Sequence, residues 1–240
     1  MPLFKKPANF VYPGDTDRTA ICGMTGSGKS TFALWLFSVS ANFDRMPWIF
    51  IDYKGEDIIQ QILKNKDAKL LDMNKPIPKE KGIYVVKPSP RDPELILDFL
   101  WKVYEAEKTG LFFDELMMLP KQFDLHNNPF QAILTQGRSK RIPCFLLTQR
   151  PARVSVSTFS EATYISEFEL NKKDDRARVE EYIPDNNALF ADDKPLPRYW
   201  SKWYDSKRKI ALKLKPSPDA KEILDTISRR VDDMEQTRIL

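Results

Sequence analysis

Cysteine and histidine are nearly absent from this 240-residue chain. The two cysteines, Cys22 and Cys144, both lie inside apolar segments, which suits buried thiols in a reducing compartment and argues against a disulfide framework. The one histidine, His126, stands in a polar loop with no second imidazole, so a histidine-based zinc site is not expected. No apolar run approaches the ~20 residues that span a bilayer. The longest candidate, Phe32 to Phe43, is interrupted by Ser38 and Ser40 and reads as a core helix. Met1 to Phe10 carries two lysines and two prolines but no apolar signal-type stretch, so the chain is expected to stay in the cytoplasm where it is made. No internal repeat or low-complexity tract is visible.

The composition, 42% hydrophobic and 30% charged, is that of an ordinary soluble globular protein. The length allows one well-buried core with an appendage. The net charge is +4, and basic residues gather at Arg138, Lys140 and Arg141, at Arg150 and Arg153, and at Lys207, Arg208 and Lys209. Such clusters suit phosphate backbones, and equally suit a solvated surface.

Residues 1–15, with Pro2, Pro7, Pro13 and Gly14, read as an extended arm or an added edge strand. A strand through Thr19 to Cys22 leads into a glycine-rich turn and then a helix from Lys29 to about Ser40. The apolar run Trp48 to Tyr53 ends in Asp52 and is followed by a helical stretch around Glu56 to Leu63. Ile83 to Val86, Leu111 to Phe113, Pro143 to Thr148 and Ala162 to Leu170 read as buried strands. Asp92 to Glu107, Phe130 to Ser139 and Lys173 to Ile183 have helical spacing. Buried strands alternating with helices imply an α/β fold, a mainly parallel central sheet with helices on both faces. After Pro195 and Pro197 the character changes. Tyr199 to Tyr204 and Lys209 to Lys215 can pair as a hairpin, and Asp219 caps a helix with Ile223, Leu224, Ile227 and Val231 on one face. The expected organisation is an arm at 1–15, a core at 16–198 and a C-terminal hairpin and helix appendage at 199–240.

Gly23-Met24-Thr25-Gly26-Ser27-Gly28-Lys29-Ser30 is a full match to the P-loop pattern, placed between strand and helix. Glycines let successive N–H groups point at one anion, and the helix N-terminus adds its positive end. The cradle therefore runs from Gly23 to Thr31, with Lys29 reaching the β and γ phosphates of ATP and Ser30 offering its hydroxyl to Mg2+. A second acidic element follows from Leu111-Phe112-Phe113-Asp114-Glu115. An apolar strand ending in two carboxylates places Asp114 beside the cradle, on the magnesium side, and leaves Glu115 to orient and deprotonate the attacking water. A surface residue at a strand end is the plain alternative for Glu115. The strand Cys144 to Leu147 ends in Thr148-Gln149-Arg150-Pro151, where a polar amide can sense the γ-phosphate or position the water.

Thr25 to Ser30, Asp52-Tyr53-Lys54-Gly55-Glu56, Phe113-Asp114-Glu115, Gln136-Gly137-Arg138 and Thr148-Gln149-Arg150-Pro151 occur in the order found in the FtsK-HerA superfamily, which the chain resembles over about residues 17 to 184. The resemblance implies a RecA-like P-loop ATPase core, a ring that is usually a hexamer, and double-stranded DNA as cargo. It implies catalytic roles for Lys29, Glu115 and Gln149, the last as γ-phosphate sensor, and makes Arg138 the candidate arginine that completes a neighbour's site. The family often has a second glycine after its Gly-Arg, whereas this chain has Lys140-Arg141-Ile142, so Arg141 and Arg150 stay open as alternatives. By size the chain looks most like the minimal genome-packaging ATPases of membrane-containing double-stranded DNA viruses and phages. The expected setting is then the host cytoplasm and the virion's packaging vertex, with capsid or membrane proteins as partners. A motor for conjugation or for phage assembly and secretion is the runner-up. Asn171-Lys172-Lys173-Asp174 also matches a guanine-reading motif, but it stands far from Lys29 and leaves Asp114, Glu115 and Gln149 without roles. The plain reading is a polar loop capping the next helix.

Overall fold

Strands whose successive side chains face opposite ways divide the apolar residues of this protein between two layers. In the computed structural model, which describes residues 7–124, 126–183, 188–191 and 196–239, β1 spans Arg18–Cys22, β2 Pro47–Ile51, β3 Ala68–Leu70, β4 Gly82–Val86, β5 Gly110–Phe113, β6 Cys144–Thr148 and β7 Tyr164–Glu167. Trp48, Phe50, Phe112, Phe145 and Leu147 point to one layer. Ile49, Ile51, Leu111, Phe113 and Leu146 point to the other. Burial on both faces is what parallel strands require, and the sheet runs β3-β4-β2-β5-β6-β1-β7 with every neighbour parallel.

Helices α1 (Lys29–Ser40) and α2 (Asp57–Lys64) cover the first layer. Helices α3 (Pro93–Ala106) and α4 (Pro129–Gln136) cover the second. Each of the latter pair starts with proline at its first turn and a side-chain cap before it. Asp92 Oδ1 accepts from Leu95 N at 3.3 Å, and Asn128 Oδ1 accepts from Phe130 N at 2.9 Å. Short helices α5 (Ser157–Ser160), α6 (Lys173–Glu180) and α7 (Ala188–Ala191) complete the run toward the C-terminal part.

The fold is thus the expected α/β arrangement with helices on both sheet faces. Strand β3 was not foreseen. Of its residues only Ala68 is buried, and Leu70 is 67% exposed, so it carries no apolar pattern. The C-terminal residues extend the same sheet: β8 (Ser201–Asp205) pairs antiparallel with β7, and β9 (Ile210–Leu214) with β8. Helix α8 (Ala220–Ile239) lays Ile223, Ile227 and Val231 into the layer that holds α1. Asp219 caps it through Glu222 N at 3.0 Å. Arg230 fastens it, donating to Ser38 O at 2.9 Å and Ala41 O at 2.6 Å while its guanidinium lies 4.2 Å from the Phe43 ring centre. These are carbonyls that the end of α1 leaves unpaired.

The N-terminal residues 7–17 form no strand, and the sheet edges are β3 and β9. They behave as an arm whose Phe10 is buried against Trp35 and Trp203. Residues 1–6 of the expected arm, and residues 184–187 and 192–195 of the expected core, lie outside the described residues.

Candidate active site

Parallel strands all end on one edge of a sheet, and that edge collects the predicted motifs. β1 ends at Cys22, and Gly23 donates to Thr148 O at 3.2 Å, so the loop starts tied to the end of β6. Gly23 is required by space: a Cβ there would stand 2.6 Å from Phe168 Cβ and 2.7 Å from Ser27 Oγ. Gly26 and Gly28 are required by conformation, at φ of 77° and 97°. The chain then enters α1 at Lys29, whose side chain is buried. Burial pushes its ammonium below the ordinary lysine value and the charge of Lys54 pushes the same way, against the pull of Glu115, Glu56 and Asp114.

A cavity of about 390 Å³ opens over this loop, lined by Thr25, Lys29, Ser30 and Thr31 and, from other segments, by Lys54, Glu56, Gln149 and Tyr199. Ammonium groups and backbone N–H groups around a cavity of that size suit a polyanion. A slightly larger cavity, about 460 Å³, lies at the opposite edge among Asn42, Arg45, Thr109 and Arg141. It has no glycine loop and no helix start, so the smaller one is the nucleotide candidate.

The acidic elements are placed less simply than their sequence suggests. Asp114 is fully buried at the end of β5, and both its oxygens are engaged: Oδ1 accepts Tyr53 N at 3.1 Å and Oδ2 accepts Lys54 N at 3.0 Å. Its carboxyl is pushed up to about 7, chiefly by burial and further by the charge of Asp52, against the pull of the two N–H groups. Asp52, at the end of β2, takes Gly55 N at 2.8 Å and Glu56 N at 3.1 Å on Oδ1 and Gln60 Nε2 at 2.6 Å on Oδ2. Two strand-end aspartates therefore clasp the loop 53–56. That loop presents Glu56 to the cradle, where Ser30 Oγ donates to Glu56 Oε1 at 3.1 Å. The structure thus brings Glu56, rather than Asp114, into hydrogen-bond contact with Ser30.

Glu115 is buried, not a surface residue at a strand end. Its Oε1 accepts Met117 N at 3.4 Å and Gln149 N at 3.3 Å, and its Oε2 forms an ion pair with Lys54 Nζ at 2.8 Å. Gln149 Oε1 accepts the Thr25 hydroxyl at 2.7 Å, linking the end of β6 to the cradle. Lys29, Ser30, Gln149 and Thr25 thus share one site with Glu115 behind them. Lys54 and Glu56 are the residues whose part sequence reasoning did not assign. Their signal was the strand-ending Asp52 followed two residues later by Lys54 and then Gly55-Glu56, a loop chemistry that needs partners on another strand.

The arginines are not gathered there. Arg150 Nε is paired with Asp175 Oδ2 at 2.8 Å. Arg138 and Arg141 stand between α4 and β6, at the edge where the strands begin, and Arg141 lines the opposite cavity. Asn171 to Asp174 are exposed residues around the start of α6 and do not line the nucleotide cavity.

Among the described residues no cluster of three or more His, Cys, Asp or Glu side chains forms a metal cage. The Ser30 hydroxyl and the Glu56 carboxylate, 3.1 Å apart on the cavity wall, are oxygen atoms of the kind Mg2+ takes beside phosphate oxygens and water.

No protein-family model matches the sequence. The chain is 32% identical over 218 residues to the DNA packaging ATPase P9 of Enterobacteria phage PRD1, covering 88% of this chain and 92% of that one. Its fold is similar to that of the genome packaging NTPase B204 of Sulfolobus turreted icosahedral virus 2, solved with AMPPCP, with a TM-score of 0.67, 18% identity, and 85% of this chain and 100% of that one covered. It is also similar to ATPases 2 and 3 of EssC from Geobacillus thermodenitrificans, with a TM-score of 0.62 at 12% identity, over 92% of this chain and 44% of that one. With a P-loop, a strand-end acidic pair and a strand-end glutamine on one sheet edge, and with that degree of identity to P9 along nearly its whole length, this chain belongs to the viral DNA packaging ATPases of the FtsK-HerA type.

Proposed function

We propose that this P-loop ATPase translocates double-stranded DNA and packages a viral genome into a preformed capsid. The observation that supports packaging best is the 32% identity to the DNA packaging ATPase P9 along 88% of this chain, and the one that supports hydrolysis is the buried Glu115, set between the N–H of Gln149 and the ammonium of Lys54 behind a cradle that ends in Lys29 and Ser30. In this reading Lys29 neutralises the β and γ phosphates of ATP, and the N–H groups from Gly23 to Thr31 hold the oxygens between them. Ser30 is the hydroxyl ligand of Mg2+, which would supply charge neutralisation, with Asp114 and Glu56 as carboxylates beside it. Glu115 takes the proton of the attacking water. Gln149, whose Oε1 accepts the Thr25 hydroxyl beside the cradle, is the γ-phosphate sensor.

The working unit is a ring, taken here as a hexamer, in which Arg138 of one subunit reaches its neighbour's site. It acts in the host cytoplasm and at the packaging vertex, where capsid or membrane proteins hold it. Among the described residues no helix is long and apolar enough to cross a membrane. DNA is gripped through its phosphates rather than its bases, so binding weakens steeply with salt.

The test is an ATPase assay with and without double-stranded DNA, repeated with GTP and with Lys29→Ala. DNA stimulation, preference for ATP and loss of turnover in the variant support the reading. A protein indifferent to DNA but stimulated by a secretion substrate would favour the export motors instead. Mixing Lys29→Ala with Arg138→Ala subunits should restore part of the activity where a sound cradle meets a sound arginine. No recovery under proven subunit exchange would remove Arg138 from this role.

A further inference from the structure

Lys54 has no part in the chemistry assigned above, yet its ammonium stands 2.8 Å from the buried carboxylate of Glu115. Its backbone is fixed, because the Lys54 N–H is held by Asp114 Oδ2 at 3.0 Å and the rest of the loop by Asp52. Its side chain is not sealed in: it is 28% exposed, against 3% for that of Glu115, and it lines the nucleotide cavity with Lys29, Ser30 and Gln149. A flexible four-carbon stem on a clamped backbone can therefore serve two anions. One is Glu115. The other is the end of a polyphosphate chain in the cavity, where Lys29 already supplies the first positive charge.

Glu115 Oε1 is taken by the N–H groups of Met117 and Gln149 and Oε2 by the Lys54 ammonium, so both carboxylate oxygens are engaged while the pair stands. A base held by Lys54 is thus restrained, and a base from which Lys54 has been drawn away is not. We infer that Lys54 is a positioning residue gated by the γ-phosphate, which restrains Glu115 in an ion pair until a nucleoside triphosphate enters and draws the ammonium across. A diphosphate lacks the terminal phosphate that would draw the ammonium and leaves the ion pair in place. Glu115 is thereby engaged for hydrolysis only in a site that holds something to hydrolyse. No covalent change is involved, only the exchange of one ion pair for another. This inference rests on the ATP-site reading and adds a step to it.

If Glu115 and the γ-phosphate compete for one ammonium, removing the competitor must tighten triphosphate binding, and only through Lys54. The experiment is equilibrium binding of the β,γ-methylene analogue of ATP and of ADP, with magnesium, to four proteins: wild type, Glu115→Gln, Lys54→Met and the double variant. Glu115→Gln should bind the analogue roughly tenfold more tightly, a coupling of the size that double-mutant cycles find between contacting groups, while ADP moves by less than about twofold. The gain should vanish when Lys54→Met is added to Glu115→Gln. That last comparison contains no unpaired buried carboxylate, so it stands even if Lys54→Met alone folds poorly. Lys54→Arg, which keeps the charge, should keep the preference for the analogue over ADP. A charge that merely neutralises Glu115 would move analogue and ADP together. An unchanged analogue-to-ADP ratio in Glu115→Gln, or a gain that survives Lys54→Met, would overturn the inference. Lys29→Ala in the same titration separates the two levels. Undiminished analogue binding there removes the ATP-site reading itself, whereas lost binding beside a flat cycle removes only the role of Lys54.

Discussion

Replacing Glu115 by glutamine keeps the shape of the side chain and removes the base. The Oε1 contacts to Met117 N and Gln149 N are long, 3.4 and 3.3 Å, and an amide oxygen can accept both, more weakly than a carboxylate does. What disappears is the ion pair to Lys54, whose head is partly in water. The cost of that loss is set against the lower cost of burying an amide than a carboxylate. The net change in stability should then be within about 1 kcal/mol, which for a chain of this size moves the thermal midpoint by ~2–4 °C. The catalytic loss is of another order. A positioned general base contributes ~10²–10⁴ in rate, or roughly 3–5 kcal/mol of barrier. Phosphate release at saturating ATP and magnesium, measured beside a thermal melt, separates the two quantities. Turnover within about tenfold of wild type with an unchanged melt would mean that Glu115 is not the base. Lost turnover together with a melt lowered well beyond that range would make Glu115 a structural residue of the strand end.

Glu167, buried at the end of β7 with Lys202 Nζ 3.5 Å away, has its carboxyl pushed up to about 7 by burial despite that lysine. The folded protein therefore holds this proton more tightly than the unfolded chain, and the group's contribution is fullest below about pH 4.5 and lost as pH rises toward 7. Denaturant unfolding from pH 4.5 to 8 should show wild type losing on the order of 3 kcal/mol that Glu167→Gln does not lose; parallel pH curves would contradict this. Arg230→Met should destabilise by ~2–3 kcal/mol, since it strips a charged donor from two carbonyls at the end of α1 and a cation from the Phe43 ring. Unfolding at matched denaturant slope reads it directly, and a change below about 0.5 kcal/mol would show that α8 is held by its apolar face alone. Gly23→Ala should lose nucleotide binding before it loses fold, because its methyl would press on Ser27 in the cradle as well as on Phe168; a variant that binds ATP as wild type does would show that the loop can shift at no cost.

The strands that were legible in advance are those buried on both faces, such as Trp48 to Ile51 and Leu111 to Phe113, where apolar runs end abruptly in an acid. Strand β3 escaped because an edge strand with Lys69 and Leu70 exposed needs no apolar pattern. The cradle was legible residue by residue, because its chemistry is local: strand, glycines, lysine, serine, helix. The clasp was not. Asp52 and Asp114 are recognisable as strand-end acids, but that both bind the backbone of one loop depends on β2 and β5 being neighbours, which no local pattern states. For the same reason the sequence put Asp114 on the magnesium side of the cradle but gave no sign that Glu56 is the carboxylate that meets Ser30, which the long-range register decides.

Lys29, Glu115 and Gln149 stand where parallel strands finish, and the turn with Arg138 and Arg141 stands where they start. Strands of this length separate those edges by roughly 15 Å, so a subunit cannot fold its own turn onto its own nucleotide. A two-fold dimer brings unlike edges together only through a face that presents both edges of the sheet at once, since residue i of one copy must meet j of the other and j meet i. Contact between unlike edges runs head to tail and gives every copy the same direction. In the ring proposed above, such copies would share one polarity around the axis, and a strand threaded through the middle would meet the same face of each in turn.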